Sequence, residues 1–228
     1  MERQLIICGD IHGELRELVW KLTSQKSVDR ADIVVAGDFG AGFGDLEAIY
    51  QRVKDKLDTF DIRIYAVRGN HDNPELFTGS EIYPRLTLLK DYEEVVLGNG
   101  KRILPVGGAT SLDKEWRVEY EQKKKKKIWW ENEGIVKLEG LENLVPKKVD
   151  IIISHEAPLT FEPVLFRSEG MSLDTYKKVK EDREYLDRIL ELVKCDRWFY
   201  GHYHQSMSGS YGSLLWRGLN ILELYQVL

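Results

Sequence analysis

The stretch Leu5-Ile6-Ile7-Cys8-Gly9-Asp10-Ile11-His12-Gly13 begins with four apolar residues and then carries an acid at Asp10 and an imidazole at His12. The apolar residues predict a buried β-strand, and the amphipathic segment at residues 14–22 predicts a helix after it. The alternation continues with strands predicted at residues 33–36 and 62–67 and a helix predicted at residues 46–57. Strands that alternate with helices favour a parallel sheet with helices on its faces.

The middle and end of the chain predict further strands and one long helix. A hairpin is expected from residues 93–97 and 102–106, which flank the turn Gly98-Asn99-Gly100. Strands predicted at residues 149–154 and 198–200 lie on either side of a charged helix predicted at residues 172–193. The glycine-containing tail is typical of antiparallel strands. No repeat or proline-rich linker interrupts the sequence, so we expect one α/β domain over residues 1–228.

Composition excludes several classes of protein. The chain has 228 residues, of which 43% are hydrophobic and 31% are charged, as in a globular domain. Its apolar runs are far shorter than the roughly 20 residues that cross a membrane. The net charge of −5 gives no support to general electrostatic binding of long nucleic acid. Two cysteines make no disulfide framework, and residues 1–4 lead into a strand without a signal-peptide pattern, which favours a cytoplasmic location.

Each histidine of the chain follows an apolar run by a few residues. The carboxyl ends of parallel strands meet at one edge of a sheet, so these histidines should gather there with the acids and amide that also follow strands. The expected group is Asp10, His12, Asp38, Asn70, His71, His155, His202 and His204. Such a mixture of oxygen and imidazole donors suits manganese, iron, zinc or cobalt. The number of donors exceeds what one tetrahedral zinc needs. It is enough for two metal ions that share a carboxylate, activate a water and clamp a phosphoryl group.

The sequence resembles the calcineurin-like metallophosphoesterases in five blocks, which occur in order and each follow a predicted strand. They are Gly9-Asp10-Ile11-His12-Gly13, Gly37-Asp38, Gly69-Asn70-His71-Asp72, Ser154-His155 and Gly201-His202-Tyr203-His204. The similarity is to small bacterial members, with some similarity to the serine/threonine phosphatase branch. It implies an α/β layered fold in which mixed β-sheets form a central sandwich flanked by helices.

The resemblance also implies a role for each residue of the group. Asp10, His12 and His204 would hold a first metal, Asp38 would bridge both metals, and Asn70, His155 and His202 would complete the second site. His71 would not be a ligand; it would stabilise the phosphoryl oxygens and protonate the leaving group. The expected cofactors are two divalent ions, with manganese preferred and iron, zinc or cobalt as alternatives.

Two arginines are candidate substrate-binding residues. Arg68 precedes Gly69-Asn70-His71, as in the phosphatase branch, where that arginine contacts the phosphate. Arg117 lies in a stretch at residues 107–117 that resembles a loop of small bacterial metallophosphoesterases. A guanidinium can hold two phosphate oxygens at once.

The second block departs from the phosphatase pattern. Ala41 and Gly42 stand where that branch has an aspartate that orients the catalytic histidine and an arginine that binds phosphate. The partner that orients His71 is therefore open, and Asp72 or Asp45 could serve. We expect Asp72 to act with His71 in catalysis.

Residues 111–134 form an unusual segment with five successive lysines, Lys123–Lys127, followed by Trp129 and Trp130. One interpretation is a solvated basic face with tryptophans packed beneath it. The other is a flap over a site that attracts an anion.

We therefore expect a cytoplasmic, dinuclear-metal phosphoesterase whose partner is a phosphoester substrate, with no membrane partner and no nucleic acid. The sequence leaves open the choice between monoester and diester and the oligomeric state. The alternatives are a nuclease, a dinucleoside polyphosphate or cyclic nucleotide hydrolase that stacks a base on Trp116, Trp129 or Trp130, and a non-catalytic scaffold. Asp10 and Asp38 taken singly could also be helix caps or turn residues.

Overall fold

A computed structural model of the protein describes residues 3–26, 28–125, 127–167 and 170–228. Lys126, within the predicted basic run, lies outside the described residues. The strands are β1 (Gln4–Cys8), β2 (Ala31–Val35), β3 (Ile62–Ala66), β4 (Glu81–Tyr83), β5 (Leu86–Leu88), β6 (Val95–Val96), β7 (Arg102–Val106), β8 (Ile151–Ser154), β9 (Arg197–Tyr200), β10 (Met207–Tyr211), β11 (Leu214–Gly218) and β12 (Leu224–Val227). The α-helices are α1 (Leu15–Trp20), α2 (Leu46–Gln51), α3 (Lys54–Thr59), α4 (Lys114–Lys124), α5 (Leu141–Leu144) and α6 (Leu173–Leu192).

The strands form two mixed sheets of six strands. The first has the order β12-β1-β2-β3-β5-β4, and the second has the order β10-β11-β9-β8-β7-β6. The four central strands of each sheet run parallel to one another. The strand at each edge pairs antiparallel with the central strand beside it. The parallel centres place the carboxyl ends of β1, β2 and β3 at one rim, and those of β8 and β9 at the corresponding rim of the second sheet.

Two apolar clusters bury the central strand β1 on both faces. Side chains alternate along β1: Leu5 and Ile7 belong to an apolar cluster that joins both sheets, whereas Ile6 and Cys8 pack in a cluster with α1. Successive side chains of a strand point to opposite faces, so an unbroken apolar run is what a strand between two layers requires. The layered α/β fold with a central sandwich is therefore confirmed.

Local structure departs from the expectations in four places. The helix predicted at residues 46–57 is divided into α2 and α3, because Val53 has φ −120° and leaves the helical region. Strand β11 pairs antiparallel with β10 but parallel with β9, so the tail is not wholly antiparallel. The short hairpin of β4 and β5 and helix α4 were not expected.

The long charged helix agrees with its prediction. Ser172 accepts a hydrogen bond from the Thr175 backbone N–H through its side chain and so begins α6, as an N-cap residue does. Throughout the parts of the chain that the structure describes, no helix combines the length and the apolar composition that crossing a bilayer requires.

Candidate active site

The residues predicted to bind metal converge at the joined rims of the two sheets. Asp10 follows β1, Asp38 follows β2, and Asn70 follows β3, whereas His155 follows β8 and His202 follows β9. One possible ligand atom from each of four residues lies within 4.8 Å of the others, and these residues are Asp10, His12, Asp38 and His204. Strand ends of both sheets thus bring side chains that are far apart in sequence to one place.

The first of two subgroups is built on Asp10. Its Oδ2 lies 3.1 Å from Nε2 of His204 and 3.9 Å from Nε2 of His12. The two imidazole Nε2 atoms face each other at 3.0 Å. Two ring nitrogens and a buried carboxylate that converge on one point form a donor set suited to a borderline divalent cation.

The second subgroup is built on His155. Its Nδ1 lies 2.9 Å from the carbonyl oxygen of Ala36, which fixes the ring and leaves Nε2 directed at Oδ1 of Asn70 at 2.9 Å and Oδ1 of Asp38 at 3.3 Å. A ring nitrogen held by a backbone carbonyl is the usual support of a ligating histidine. The ring of His202 lies beside that of His155, with centroids 5.0 Å apart.

Asp38 connects the two subgroups. Its Oδ2 lies 3.7 Å from Nδ1 of His12, while its Oδ1 faces His155 as described above. Although burial alone raises the pKa of this carboxyl group, the neighbouring His155 holds it well below its usual range. Burial lowers the pKa of His155, but the Asp38 carboxylate more than compensates and raises it to about 10. A buried carboxylate between two groups of donors has the position that a bridging ligand needs.

Backbone geometry in the site is unusual. Four of the converging residues, none of them glycine, have positive φ angles: 46° at His12, 48° at Asp38, 68° at His202 and 52° at His204. Such conformations cost free energy and are retained where the surrounding structure imposes them, commonly at functional sites.

Two glycines make room for the converging side chains. A Cβ atom at Gly201 would lie 2.1 Å from Oδ1 of Asp10, and one at Gly37 would lie 2.0 Å from Nδ1 of His155. Any other residue would displace these side chains, so the close approach of the backbone requires glycine at both positions.

His71 contacts Arg117. The two guanidinium Nη atoms of Arg117 lie 2.6 and 3.2 Å from the ring nitrogens of His71, and its Nε donates to Oδ1 of Asp113 at 2.6 Å. Oδ2 of Asp38 lies 3.9 Å from Nε2 of His71. Burial, together with the positive charge of Arg117, lowers the pKa of His71 to about 4 against the opposing effect of Asp38. The ring is therefore neutral near pH 7 and accepts from Arg117.

The catalytic role expected of Asp72 does not fit this geometry. Its carboxylate is fully buried and accepts the backbone N–H groups of Phe39, Gly40, Ala41 and Gly69 at 2.7–3.1 Å. Burial and the nearby Asp38 raise the pKa of Asp72 to about 6.

Those hydrogen bonds hold the loop that carries Asp38 against the loop that carries His71. Asp45, the other candidate to orient His71, caps α2 by accepting from the Ala48 N–H. Neither acid is hydrogen-bonded to the His71 ring, so the predicted partner is replaced by Arg117.

The phosphate contact expected of Arg68 does not fit either. Its side chain is 2% exposed, and its guanidinium donates to Asp91 and to the carbonyl oxygens of Gly107, Glu133 and Gly134. It ties together three segments of the chain and does not line the cavities beside the metal ligands.

We expect replacement of Arg68 by methionine to lower stability without changing substrate affinity. Loss of the guanidinium removes the buried cation that pairs with Asp91 and the side-chain donor to the carbonyl groups of Gly107, Glu133 and Gly134, which should cost about 3 kcal/mol. Urea unfolding measures the free energy, and KM for p-nitrophenyl phosphate measures binding. The matched variant Arg117→Met should show the reverse, with little loss of stability and a raised KM. A raised KM in Arg68→Met would restore the phosphate role.

A chain of hydrogen bonds that no sequence pattern indicated orients Asn70. Its Nδ2 donates to Oγ of Ser111 at 2.9 Å, and that hydroxyl donates to Oε2 of Glu133 at 2.6 Å. Glu133 also accepts the Ser111 N–H, so the two ends of the predicted insertion at residues 111–134 are joined at its base. The arrangement turns the Asn70 carbonyl oxygen towards His155.

Glu156 is a second residue that sequence reasoning missed. Its Oε2 lies 3.8 Å from Nε2 of His202, and neither of these buried atoms has a hydrogen-bond partner among the residues that the structure describes. The other carboxylate oxygen accepts from the Tyr203 hydroxyl. A carboxylate behind a histidine can fix its ring and tautomer. The sequence indicated Glu156 only through its position directly after His155.

Comparisons with known proteins agree with the geometry. The family model for calcineurin-like phosphoesterases matches residues 4–206. The catalytic subunit of serine/threonine-protein phosphatase 4 from Kluyveromyces lactis is 34% identical over 77 residues, and that from Saccharomyces cerevisiae is 32% identical over the same length. These matches span 33% of this chain and only 25% of each phosphatase.

Among solved structures, the protein TT1561 of Thermus thermophilus shares the fold. It has a TM-score of 0.52 at 12% identity, and the superposition covers 100% of this chain and 99% of that protein. A sequence identity of 12% supports a shared fold and nothing further.

Proposed function

Because this chain belongs to the calcineurin-like phosphoesterase family, we propose that it hydrolyses a phosphoester with two divalent metal ions. The observation that carries the proposal is the position of Asp38, which offers one oxygen within 4.8 Å of ligand atoms of Asp10, His12 and His204, while its Oδ1 lies 3.3 Å from Nε2 of His155. The first metal would be held by Asp10, His12, Asp38 and His204, and the second by Asp38, Asn70, His155 and His202.

The donor set fits such ions on two structural grounds. The facing Nε2 atoms of His12 and His204 need a shared cation or proton between them, since two lone pairs at 3.0 Å repel each other. At the second position, His155 Nε2 lies 2.9 Å from the Asn70 carbonyl oxygen and 3.3 Å from Oδ1 of Asp38, so a ring nitrogen, an amide oxygen and a carboxylate oxygen converge there. We propose manganese, with iron, zinc or cobalt as alternatives, because carboxylate, amide and imidazole donors suit these ions.

The bound ions would supply a water of lowered pKa and a positive clamp on the phosphoryl oxygens. His71 and Arg117 form the wall beside the ligands. The Arg117 guanidinium is placed to hold phosphoryl oxygens in a bidentate contact. A phosphate group seated there would offset the charge of Arg117 and so raise the pKa of His71, which would allow that ring to carry the proton that the leaving oxygen needs.

Metal loading and turnover test this proposal together. We expect about two equivalents of metal per chain after dialysis against manganese and removal of free ion, and hydrolysis of p-nitrophenyl phosphate or its bis ester only in the loaded protein. Zinc- and magnesium-loaded samples identify the preferred ion. Two bound metals without hydrolysis of any phosphoester in a broad panel would favour a scaffold, and hydrolysis that survives complete removal of metal would overturn the proposal.

The remaining parts of the proposal rest on narrower observations. We infer a cytoplasmic protein, since Cys8 and Cys195 are both free thiols. We infer one domain with a flap-like insertion at residues 111–134, since Arg117 reaches the candidate site from this segment. With a net charge of −5, nucleic acid is not the expected partner, and a nuclease or a dinucleoside polyphosphate hydrolase remains the alternative.

A further inference from the structure

Two cavities meet at the candidate metal centre. The first has a volume of about 410 Å³ and reaches the ligands Asp38, Asn70, His202 and His204. The second has a volume of about 390 Å³ and reaches His12. His71 and Arg117 line both, so these two side chains form the wall that the cavities share. Each cavity is large enough for an organic group of a small ligand.

Away from the ligands, the first cavity is lined by apolar side chains. They come from Leu112, Met171 and the irregular segment at residues 163–166. Val164 and Phe166 in this segment are each 70% exposed. Burying such side chains against an apolar part of a substrate would contribute favourable free energy in proportion to the area covered.

The second cavity is aromatic. Trp116 and Tyr120 lie one turn apart on α4, with ring centroids 5.2 Å apart and planes inclined by 33°. Phe43 lines the same cavity and packs edge to face against Trp130, with centroids 4.6 Å apart. Trp116 is 56% exposed, so a ring face remains available. Planar heteroaromatic rings stack on such side chains.

The charge of the shared wall is low. Asp113 pairs with Arg117 and also lines the first cavity. Arg183 lines it too, but its guanidinium is committed to carbonyl oxygens of residues 157–163. Arg68, the other expected cation, is buried elsewhere. Beyond the charge that the proposed metal ions would supply, the side chains of this wall add little compensation for the second negative charge that a phosphomonoester acquires above about pH 6.

Building on the proposed function, we propose that the substrate is a phosphodiester with a planar heteroaromatic group on one arm and a flexible apolar group on the other. The phosphorus lies over the metal ligands, the heteroaromatic arm enters the second cavity, and the apolar arm enters the first. A monoester has one organic arm and leaves one cavity empty. In the reaction, the oxygen of one water bonds to phosphorus, one P–O ester bond breaks, and a water proton ends on the released alcohol. The products are one monoester and one alcohol.

Three chromogenic substrates test the proposal on the metal-loaded protein: p-nitrophenyl phosphate, bis(p-nitrophenyl) phosphate and the p-nitrophenyl ester of thymidine 5′-monophosphate. We expect kcat/KM to rise in that order, by at least tenfold between the first and the last. The variant Trp116→Ala should lower kcat/KM for the thymidine ester by about 5- to 150-fold, the range found when one base loses its aromatic partner. The matched control Trp20→Ala removes an exposed tryptophan that lines neither cavity and should change nothing.

Calorimetric titration with thymidine 5′-monophosphate gives a readout that does not need turnover. We expect Trp116→Ala to raise Kd by a similar factor. Faster hydrolysis of p-nitrophenyl phosphate than of either diester would overturn the diester proposal and leave the phosphoesterase intact. Equal Kd values for wild type and Trp116→Ala would overturn the aromatic subsite. Absence of hydrolysis of all three compounds, with thymidine 5′-monophosphate still bound through Trp116, would overturn the proposed function and not the subsite.

Discussion

The variant Asp38→Ala is expected to lose both metal ions and all measurable hydrolysis. In the proposed site each ion takes one oxygen of this carboxylate, so its removal would take a ligand from both ions at once. Its negative charge also offsets the two cations in a fully buried place. Elemental analysis of protein freed of unbound metal gives the number of ions per chain, and p-nitrophenyl phosphate and its bis ester give the activity.

Three further variants make the result decisive. Asp38→Asn keeps the size of the side chain and its acceptor for the His71 N–H, so it should remain folded while binding metal weakly. His204→Ala should empty mainly the first position, since its ring contacts Asp10 and His12. Asp45→Ala removes an acid outside the site, should cost about 1 kcal/mol as a lost helix cap, and should keep both ions. Two ions retained in Asp38→Ala would contradict the bridging assignment.

The variant His71→Asn is expected to keep both metal ions while kcat falls by about 10²–10⁴-fold, which is the usual contribution of a positioned acid or base. Its ring lies beside the cluster and lines both cavities, so it can reach the leaving oxygen of a substrate that engages Arg117. An alkoxide leaving group needs a proton, whereas p-nitrophenolate is stable without one. The variant should therefore lose more activity on an alkyl ester than on the corresponding p-nitrophenyl ester.

The comparison of leaving groups separates three roles of His71. An equal loss on both esters would mean that the ring stabilises the phosphoryl group by electrostatics. Loss of metal would mean that it is a ligand. Asp72→Asn serves as a second comparison: it should weaken the loop that carries Asp38 and lower stability, without any dependence on the leaving group, because its carboxylate faces four backbone N–H groups.

The place of the site follows from sequence periodicity alone. An apolar run such as Leu5–Cys8 can be buried on both faces only in a strand between two layers, and its alternation with amphipathic helices makes the sheet parallel. Residues that directly follow such strands must then meet at one rim. This is why Asp10 and Asp38, which follow neighbouring strands of the first sheet, are found together, and His155 joins them from the corresponding rim of the second sheet.

Contacts between loops could not be predicted from sequence periodicity. Arg68 stands next to the third motif, yet its side chain turns away from the rim because carbonyl groups at residues 107, 133 and 134 surround it. Arg117 stands 46 residues from His71 and contacts it, because α4 lies over the site. The period of the apolar residues and the short motifs are local properties of the sequence. The direction of a loop side chain depends instead on which distant segment packs beside it.

The sequence by itself thus determined the alternation of strands and helices and the strand ends where oxygen and imidazole donors gather, because parallel strands bring their carboxyl ends to one edge, whereas the central sandwich of mixed sheets was implied by the resemblance to a known family. Only the tertiary structure decided which arginine reaches His71, which acid holds the Asp38 loop, and that two cavities open beside the cluster. These features depend on the packing of residues 107–134 and 163–171 against the rim. No short-range pattern specifies such packing, since its stability comes from contacts between segments far apart in the chain.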